Sequence, residues 1–226
     1  MNLINAGSIM LMALAPSSNP SVTQLDQAEI PKIVRVQDGM VFKTKKDDEI
    51  ELDVPFVHQY HDLPEDRKTQ IMWSACGPTS LTMSFQFWGV ETSLIEVIDK
   101  LPNDVYVKGS MFYNLKKGAE IYDFEAVEVG KSARGIYDAL NQGYPVIINV
   151  QNYMGYVGHG MVVIGIKGYN DATGTAVSLI VHDPTVGPNQ EFKFTGPTAL
   201  EQPEKGFTNY IGTLNPFYIR PKSSTN

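Results

Sequence analysis

The chain holds one cysteine, Cys76, and four histidines, His58, His61, His159 and His182. A lone thiol leaves nothing for an intramolecular disulfide or a multi-thiolate zinc or iron–sulfur site. Two roles remain open to it: a small packed apolar side chain, or a nucleophile activated by an imidazole. Its setting favours the second. Gly77-Pro78-Thr79-Ser80 leads into an apolar run through Leu81, Met83, Phe85, Phe87 and Trp88 that stops at Gly89. This predicts a buried helix with Cys76 at its start, where unpaired N–H groups and the positive end of the helix dipole stabilise a thiolate.

His159 is the best general-base candidate, with an ordinary packed histidine as the alternative. Gly158-His159-Gly160 opens the apolar run Met161 to Ile166, so the imidazole sits at a strand end between two residues that let a substrate backbone approach. Asp183 follows the next run, Leu179-Ile180-Val181, and precedes Pro184. Antiparallel neighbours bring it beside His159, where a carboxylate fixes the tautomer and steadies the imidazolium; taken alone, Asp-Pro is a turn signal. His182 packs beside the site and is the alternative base if His159 faces inward. His58, His61 and Asp62 form a His-x-x-His-Asp cluster, but the His-Glu-x-x-His pattern of zinc peptidases is absent, and no metal or other cofactor is expected.

The elements that must carry these groups fall into two halves. Helices are expected at Ser93 to Lys100, Ser110 to Tyr122, and Ser132 to Asn141 with Gly143 as its stop. Short β-branched runs follow at Pro145 to Val150, Gly160 to Ile166 and Ala176 to Val181, with Phe192 to Phe194 and Phe217 to Ile219 as later strands. Helices first and strands second predict an α+β fold with a largely antiparallel sheet. No Gly-rich phosphate loop is present.

With 226 residues, 42% hydrophobic, and a net charge of −7 without a Lys/Arg run, one globular domain with a core is expected. That charge argues against nucleic acid or an anionic membrane as partner, and no stretch reaches the roughly 18 to 20 apolar residues of a transmembrane helix. Residues 1–50 read as an apolar arm and linker, either docking on another subunit or frayed, and residues 51–222 as the domain. Leu11 to Ala15 makes a poor signal peptide, since no Lys or Arg precedes it and Pro16 follows its Ala-x-Ala pattern. An unprocessed N-terminus is therefore expected. The charged run Lys43 to Glu51 reads as a solvated turn.

Five blocks in order, Val54-Pro55-Phe56-Val57-His58-Gln59, Ala75-Cys76-Gly77-Pro78-Thr79-Ser80-Leu81-Thr82-Met83, Gly143-Tyr144-Pro145-Val146, Gly158-His159-Gly160-Met161-Val162-Val163-Ile164-Gly165 and His182-Asp183-Pro184, resemble the papain-like cysteine peptidases of the C39-like group, related to the double-glycine leader peptidases of bacteriocin exporters. The resemblance implies a papain-like fold with Cys76 as nucleophile, His159 as base, Asp183 as orienting residue and an upstream glutamine donating to the oxyanion. Gln59 matches its block but lies 17 residues before Cys76, where compact members keep only a handful; Gln70 would meet that spacing. Leu63 to Thr69, charged and turn-like, reads as an insertion, which favours Gln59 and keeps Gln70 in reserve.

The implied activity is thiol-dependent hydrolysis of peptide bonds, on peptidoglycan cross-bridges or a small precursor peptide. Tyr153, Met154, Tyr156, Val157 and Gly158 either line a cleft for the acyl side of the substrate or serve plain packing. The alternative is a phage-tail or secretion-assembly component that mainly binds, using the N-terminal arm and the segment Asn215 to Asn226. A non-catalytic peptide-binding domain and a transamidating outcome are the other readings. An extracellular or virion-associated location is favoured over a cytoplasmic one.

Overall fold

The computed structural model describes residues 42–101, 112–151, 153, 158–196, 199–202, 207–211 and 216–223. Most of the expected N-terminal arm, together with Met154, Tyr156 and Val157, lies outside the described residues. Among the described residues, five helices, α1 (Glu65–Ile71), α2 (Cys76–Phe87), α3 (Leu94–Lys100), α4 (Phe112–Ile121) and α5 (Ala133–Asn141), lie mostly ahead of the strands. The strands are β1 (Phe42–Lys45), β2 (Glu49–Leu52), β3 (Phe124–Glu128), β4 (Val146–Gln151), β5 (His159–Lys167), β6 (Ser178–Asp183), β7 (Gly187–Phe194), β8 (Ala199–Gln202), β9 (Phe207–Ile211) and β10 (Phe217–Pro221). Every strand pairing among them is antiparallel, so the class is α+β.

The glycine stops work through backbone geometry. Gly89 and Gly143 take φ of 80° and 85°, the left-handed conformation that costs a glycine no Cβ clash. Behind each, the chain turns back to cap orphan carbonyls: Gly89 N donates to Gln86 O and Val90 N to Phe85 O, while Gly143 N donates to Leu140 O and Tyr144 N to Ala139 O. Both are Schellman caps. At the other ends, Ser93 forms a capping box with Glu96, and the Ser132 hydroxyl accepts from Gly135 N.

Helix α2 is buried along nearly its whole length, including Thr79, Ser80, Thr82 and Ser84. Such a helix must satisfy its hydroxyls internally. They donate one turn back, to the carbonyls of Ala75, Cys76, Pro78 and Ser80 respectively, at 2.7 to 3.0 Å. The polar residues of α2 therefore enter the core without orphaned groups, and the helix packs directly on β5.

Strand β5 organises the sheet. One edge pairs with β4 over His159 to Val163 and with β2 over Gly165 to Lys167, and the other edge pairs with β6. The pairings β5–β6–β7–β8–β9–β4 return to β5 and close a circuit, which removes the exposed edges of the strands that carry the site. The closure depends on β8 and β9, neither of which was expected from the sequence.

Two expectations need correction. Lys43 to Glu51 is a hairpin rather than a solvated turn: in β2, Glu49 and Glu51 alternate with the fully buried Ile50 and Leu52, and this period of two outweighs the charge. Among the described residues the sheet therefore already includes Phe42, ahead of residue 51. Leu63 to Thr69 is mostly helical, not turn-like: Glu65 and Asp66 occupy the first turn of α1, and its last residue, Ile71, is buried.

Close approach between α2 and β5 depends on Gly160. A Cβ there would sit 3.3 Å from Gly77 Cα, 3.4 Å from Gly77 N and 3.5 Å from the Cys76 carbonyl carbon. These are backbone atoms that cannot swing aside. Gly160→Val is expected to cost about 1 to 3 kcal/mol by overpacking, seen in calorimetry as a lower thermal midpoint at about 2 to 4 °C per kcal/mol.

Candidate active site

Cys76 is the first residue of α2 and is partly exposed. Burial alone raises its thiol pKa; the hydrogen bond and charge of His159, with N–H groups of Gly160 and Gly77 donating to the sulfur, outweigh this and hold it below the ordinary thiol value. The position at the head of the helix supplies the Gly77 N–H, and the tight β5 contact supplies that of Gly160.

His159 opens β5 and is buried. Its Nε2 lies 2.8 Å from Asp183 Oδ1, which leaves Nδ1 for the sulfur of Cys76. Burial disfavours the charged ring, but hydrogen bonds and charges from Asp183 and Cys76 push its pKa up to about 9. The two shifts share one cause, since thiolate and imidazolium stabilise each other and the pair titrates as a unit; Asp183 raises the His159 value further.

Asp183 ends β6 and is fully buried. Its Oδ1 accepts from His159 Nε2 and from the N–H groups of Thr185 at 2.8 Å and Val186 at 3.3 Å, and its Oδ2 accepts from the Tyr153 hydroxyl. The Asp-Pro turn thus supplies two of the donors locally. Burial raises the carboxyl pKa, but the His159 hydrogen bond and charge, Tyr153 and the Thr185 N–H bring it below its usual value. Cys76, His159 and Asp183 form one hydrogen-bonded line.

His182 is not an alternative base. Adjacent strand residues face opposite sides, and Val162 pairs with His182 in the β5–β6 register. With Asp183 turned toward His159, His182 points away; its Nε2 is 3.0 Å from Val54 O and its Nδ1 accepts from Asn189 N at 3.3 Å. Both ring nitrogens are thereby occupied by backbone.

Gln59 is buried, with its N–H donating to Pro184 O at 2.9 Å and its side-chain Nε2 to Met72 O at 2.8 Å. It is tied at one end to the turn after Asp183 and at the other to the loop before Cys76. Gln70 is exposed on α1. The intervening helix accounts for the long separation: it loops outward and returns the chain at Met72.

Of the two readings open to Tyr153, a cleft wall and plain packing, the structure shows the second: it is fully buried, with its ring parallel to that of His159. Gly158 is exposed, and a Cβ there would come within 2.8 Å of Asn149 Oδ1. His58, His61 and Asp62 build a turn: Asp62 Oδ2 accepts from His58 N at 2.6 Å, His58 Nδ1 accepts from Tyr60 N, and the two imidazoles lie 4.1 Å apart. Among the described residues, no group of three or more His, Cys, Asp or Glu side chains is placed to hold a metal ion. No described helix is long and apolar enough to cross a membrane.

A thiol at a helix N-terminus, facing an imidazole and a carboxylate on an antiparallel sheet, defines a papain-like arrangement. The chain belongs to the Peptidase_C39 like family, whose model matches residues 51–202. No curated protein sequence matches it. Among solved structures, it is similar to a putative C39-like peptidase from Bacillus anthracis, at 20% identity and a TM-score of 0.48, covering 78% of this chain and 100% of that one. It is similar to the peptidase domain of Streptococcus ComA, a bi-functional ABC transporter involved in a quorum-sensing pathway, at 19% identity and TM-score 0.44, covering 68% and 96%. A double glycine motif protease from an AMS/PCAT transporter, solved with the leader peptide, matches at 20% identity and TM-score 0.44, covering 75% and 92%.

Proposed function

We propose that the protein is a cysteine peptidase that hydrolyses peptide bonds through Cys76, His159 and Asp183. The observation that carries this reading is the continuous hydrogen-bonded line from the Cys76 sulfur to the buried Asp183 carboxylate. The Cys76 thiolate adds to the scissile carbonyl carbon, forming a C–S bond and an oxyanion. We assign two donors to that oxyanion: the Cys76 N–H, which at the first residue of α2 has no intrahelical acceptor, and the second hydrogen of the Gln59 amide, the first being held by Met72 O. His159 gives its proton to the departing amine as the C–N bond breaks. The neutral imidazole then takes a proton from water, which adds to the thioester; the C–S bond breaks, releasing the acid and restoring the thiolate–imidazolium pair.

The substrate class is a peptide, either a small precursor or a peptidoglycan cross-bridge. Incubation with a peptide library and with purified peptidoglycan, followed by mass spectrometry, tests the reading. Hydrolysis in ¹⁸O-water labels the new carboxyl; transamidation leaves it unlabelled. Binding without turnover by the native protein supports a structural module of a phage tail or secretion assembly instead.

The ion pair has its own test. Between the lowered thiol pKa and about 9, Cys76 is thiolate and His159 is imidazolium. At pH 6 iodoacetamide is expected to alkylate Cys76 at least about tenfold faster than an ordinary thiol, whose thiolate fraction there is below about 1%. His159→Ala removes the advantage. Equal rates in the two proteins overturn the pairing.

A further inference from the structure

Tyr153 touches both partners of the Nε2–carboxylate bond. Its ring lies 5.1 Å from the His159 imidazole, centroid to centroid, with 3° between the planes. Its hydroxyl donates to Asp183 Oδ2, while Oδ1 serves His159. Phe192 packs near the Tyr153 ring, 6.1 Å between centroids. One side chain thus fixes the carboxylate by its tip and the plane of the imidazole by its ring.

We propose that Tyr153 is a positioning residue for the reaction, a fourth member of the array that acts through Asp183 and His159. The inference rests on the cysteine-peptidase reading. Asp183 is fully buried, and a buried carboxylate stays ionised only when nearby charges and hydrogen-bond donors replace the water it has lost, each donor adding to that stabilisation. Among the described residues, Oδ1 has three donors and Oδ2 has Tyr153. Removing the hydroxyl leaves Oδ2 without that donor in a place water does not reach, so the carboxylate holds its charge less firmly. A weaker anion stabilises the imidazolium less, and His159 then surrenders its proton at lower pH. The ring acts differently: stacked flat on the imidazole, it opposes rotation that would carry Nδ1 out of line with the Cys76 sulfur.

Tyr153→Phe separates these contributions, because it keeps the ring and deletes only the hydroxyl. It is expected to lower kcat/KM about tenfold, mostly in kcat. The alkaline limb of the pH–rate profile moves to lower pH by about half a unit or more, and Cys76 alkylation at pH 6 slows. Tyr153→Leu, which also removes the stack, loses more on every readout. A purely structural tyrosine would lower the thermal midpoint in Tyr153→Phe while leaving the alkaline limb and the pH 6 alkylation rate as in the native protein; that result overturns the proposal. Alkylation needs no substrate, so it reports on Tyr153 even if no peptide is cleaved, whereas absence of Cys76-dependent turnover in the native protein counts against the peptidase reading itself. Should Tyr153→Phe fail to fold, proton NMR of the native protein decides. A Tyr153 hydroxyl resonance that shifts with the His159 titration supports the coupling, and one that ignores it refutes it.

Discussion

Cys76→Ala is expected to remain folded and to lose peptide hydrolysis by about 10⁴-fold or more. The size follows from the mechanism: without the sulfur no thioester forms, and what persists is only the help that binding and oxyanion donors give to direct attack by water. Stability should not fall in step. The side chain is small and partly exposed, and its loss leaves the Gly77 and Gly160 N–H groups short of one acceptor. Each such loss costs on the order of 1 kcal/mol, against which the variant no longer has to desolvate a thiolate. Activity and thermal midpoint are therefore expected to part company, and a matched loss of both would point to unfolding. The native pH profile carries the same signature. Activity is expected to rise on the acid side as the thiol ionises below its ordinary pKa and to fall on the alkaline side as His159 gives up its proton at about pH 9. If neither a peptide library nor peptidoglycan yields a product that disappears in Cys76→Ala, the peptidase reading is wrong.

The parts of this fold that were legible in the sequence are those decided by local chemistry. Gly89 and Gly143 end helices because only a residue without Cβ takes their backbone angles cheaply, and Ser93 and Ser132 start them because a hydroxyl can meet an orphan N–H. The almost wholly buried strands β5 and β6 announce themselves as short apolar runs containing β-branched residues. Short elements with charged outer faces and no cap to mark them were not legible; α3 is as short as α1, but its Ser93–Glu96 capping box announces it. Helix α1 has seven residues and β1 and β2 have four each, too few for a period to stand out from the charge around it. The closure of the sheet through β8 and β9 arises from long-range pairing, for which no local pattern exists. The same distinction runs through the site. Cys76 was readable from the helix that begins at it, whereas the difference between His159 and His182 is one of register: the ring beside Asp183 in sequence faces away from it, and the ring 24 residues earlier meets it. Tyr153 is undecided in the sequence for a related reason: an aromatic residue in a Gly-containing loop fits a cleft wall and plain packing equally, and only the fold shows it buried against His159.

The oxyanion donor is where sequence spacing and structure pull apart, and it carries the second large effect. Gln59→Ala is expected to reduce kcat by about 10²- to 10³-fold, the loss that follows removal of one such donor, or about 2.7 to 4 kcal/mol of transition-state stabilisation. Gln70→Ala should change kcat less than twofold. The reasoning is geometric. A donor stabilises the transition state only if it is already aimed and need not be ordered during the reaction. Gln59 meets the second part of this condition, since burial and the bond from Nε2 to Met72 O hold its amide and its own N–H anchors it to Pro184 beside Asp183. Gln70 projects from the exposed side of α1, so its amide would have to be immobilised at each turnover. Gln59→Glu sharpens the test. It keeps the side-chain length but replaces a donor by an acceptor beside the developing negative charge, so it should be at least as damaging as alanine. A lost packing contact, by contrast, would be largely restored by glutamate. If Gln59→Ala is nearly silent and Gln70→Ala is not, the segment from Pro64 to Met72 rearranges when substrate binds, and Gln70 becomes the donor.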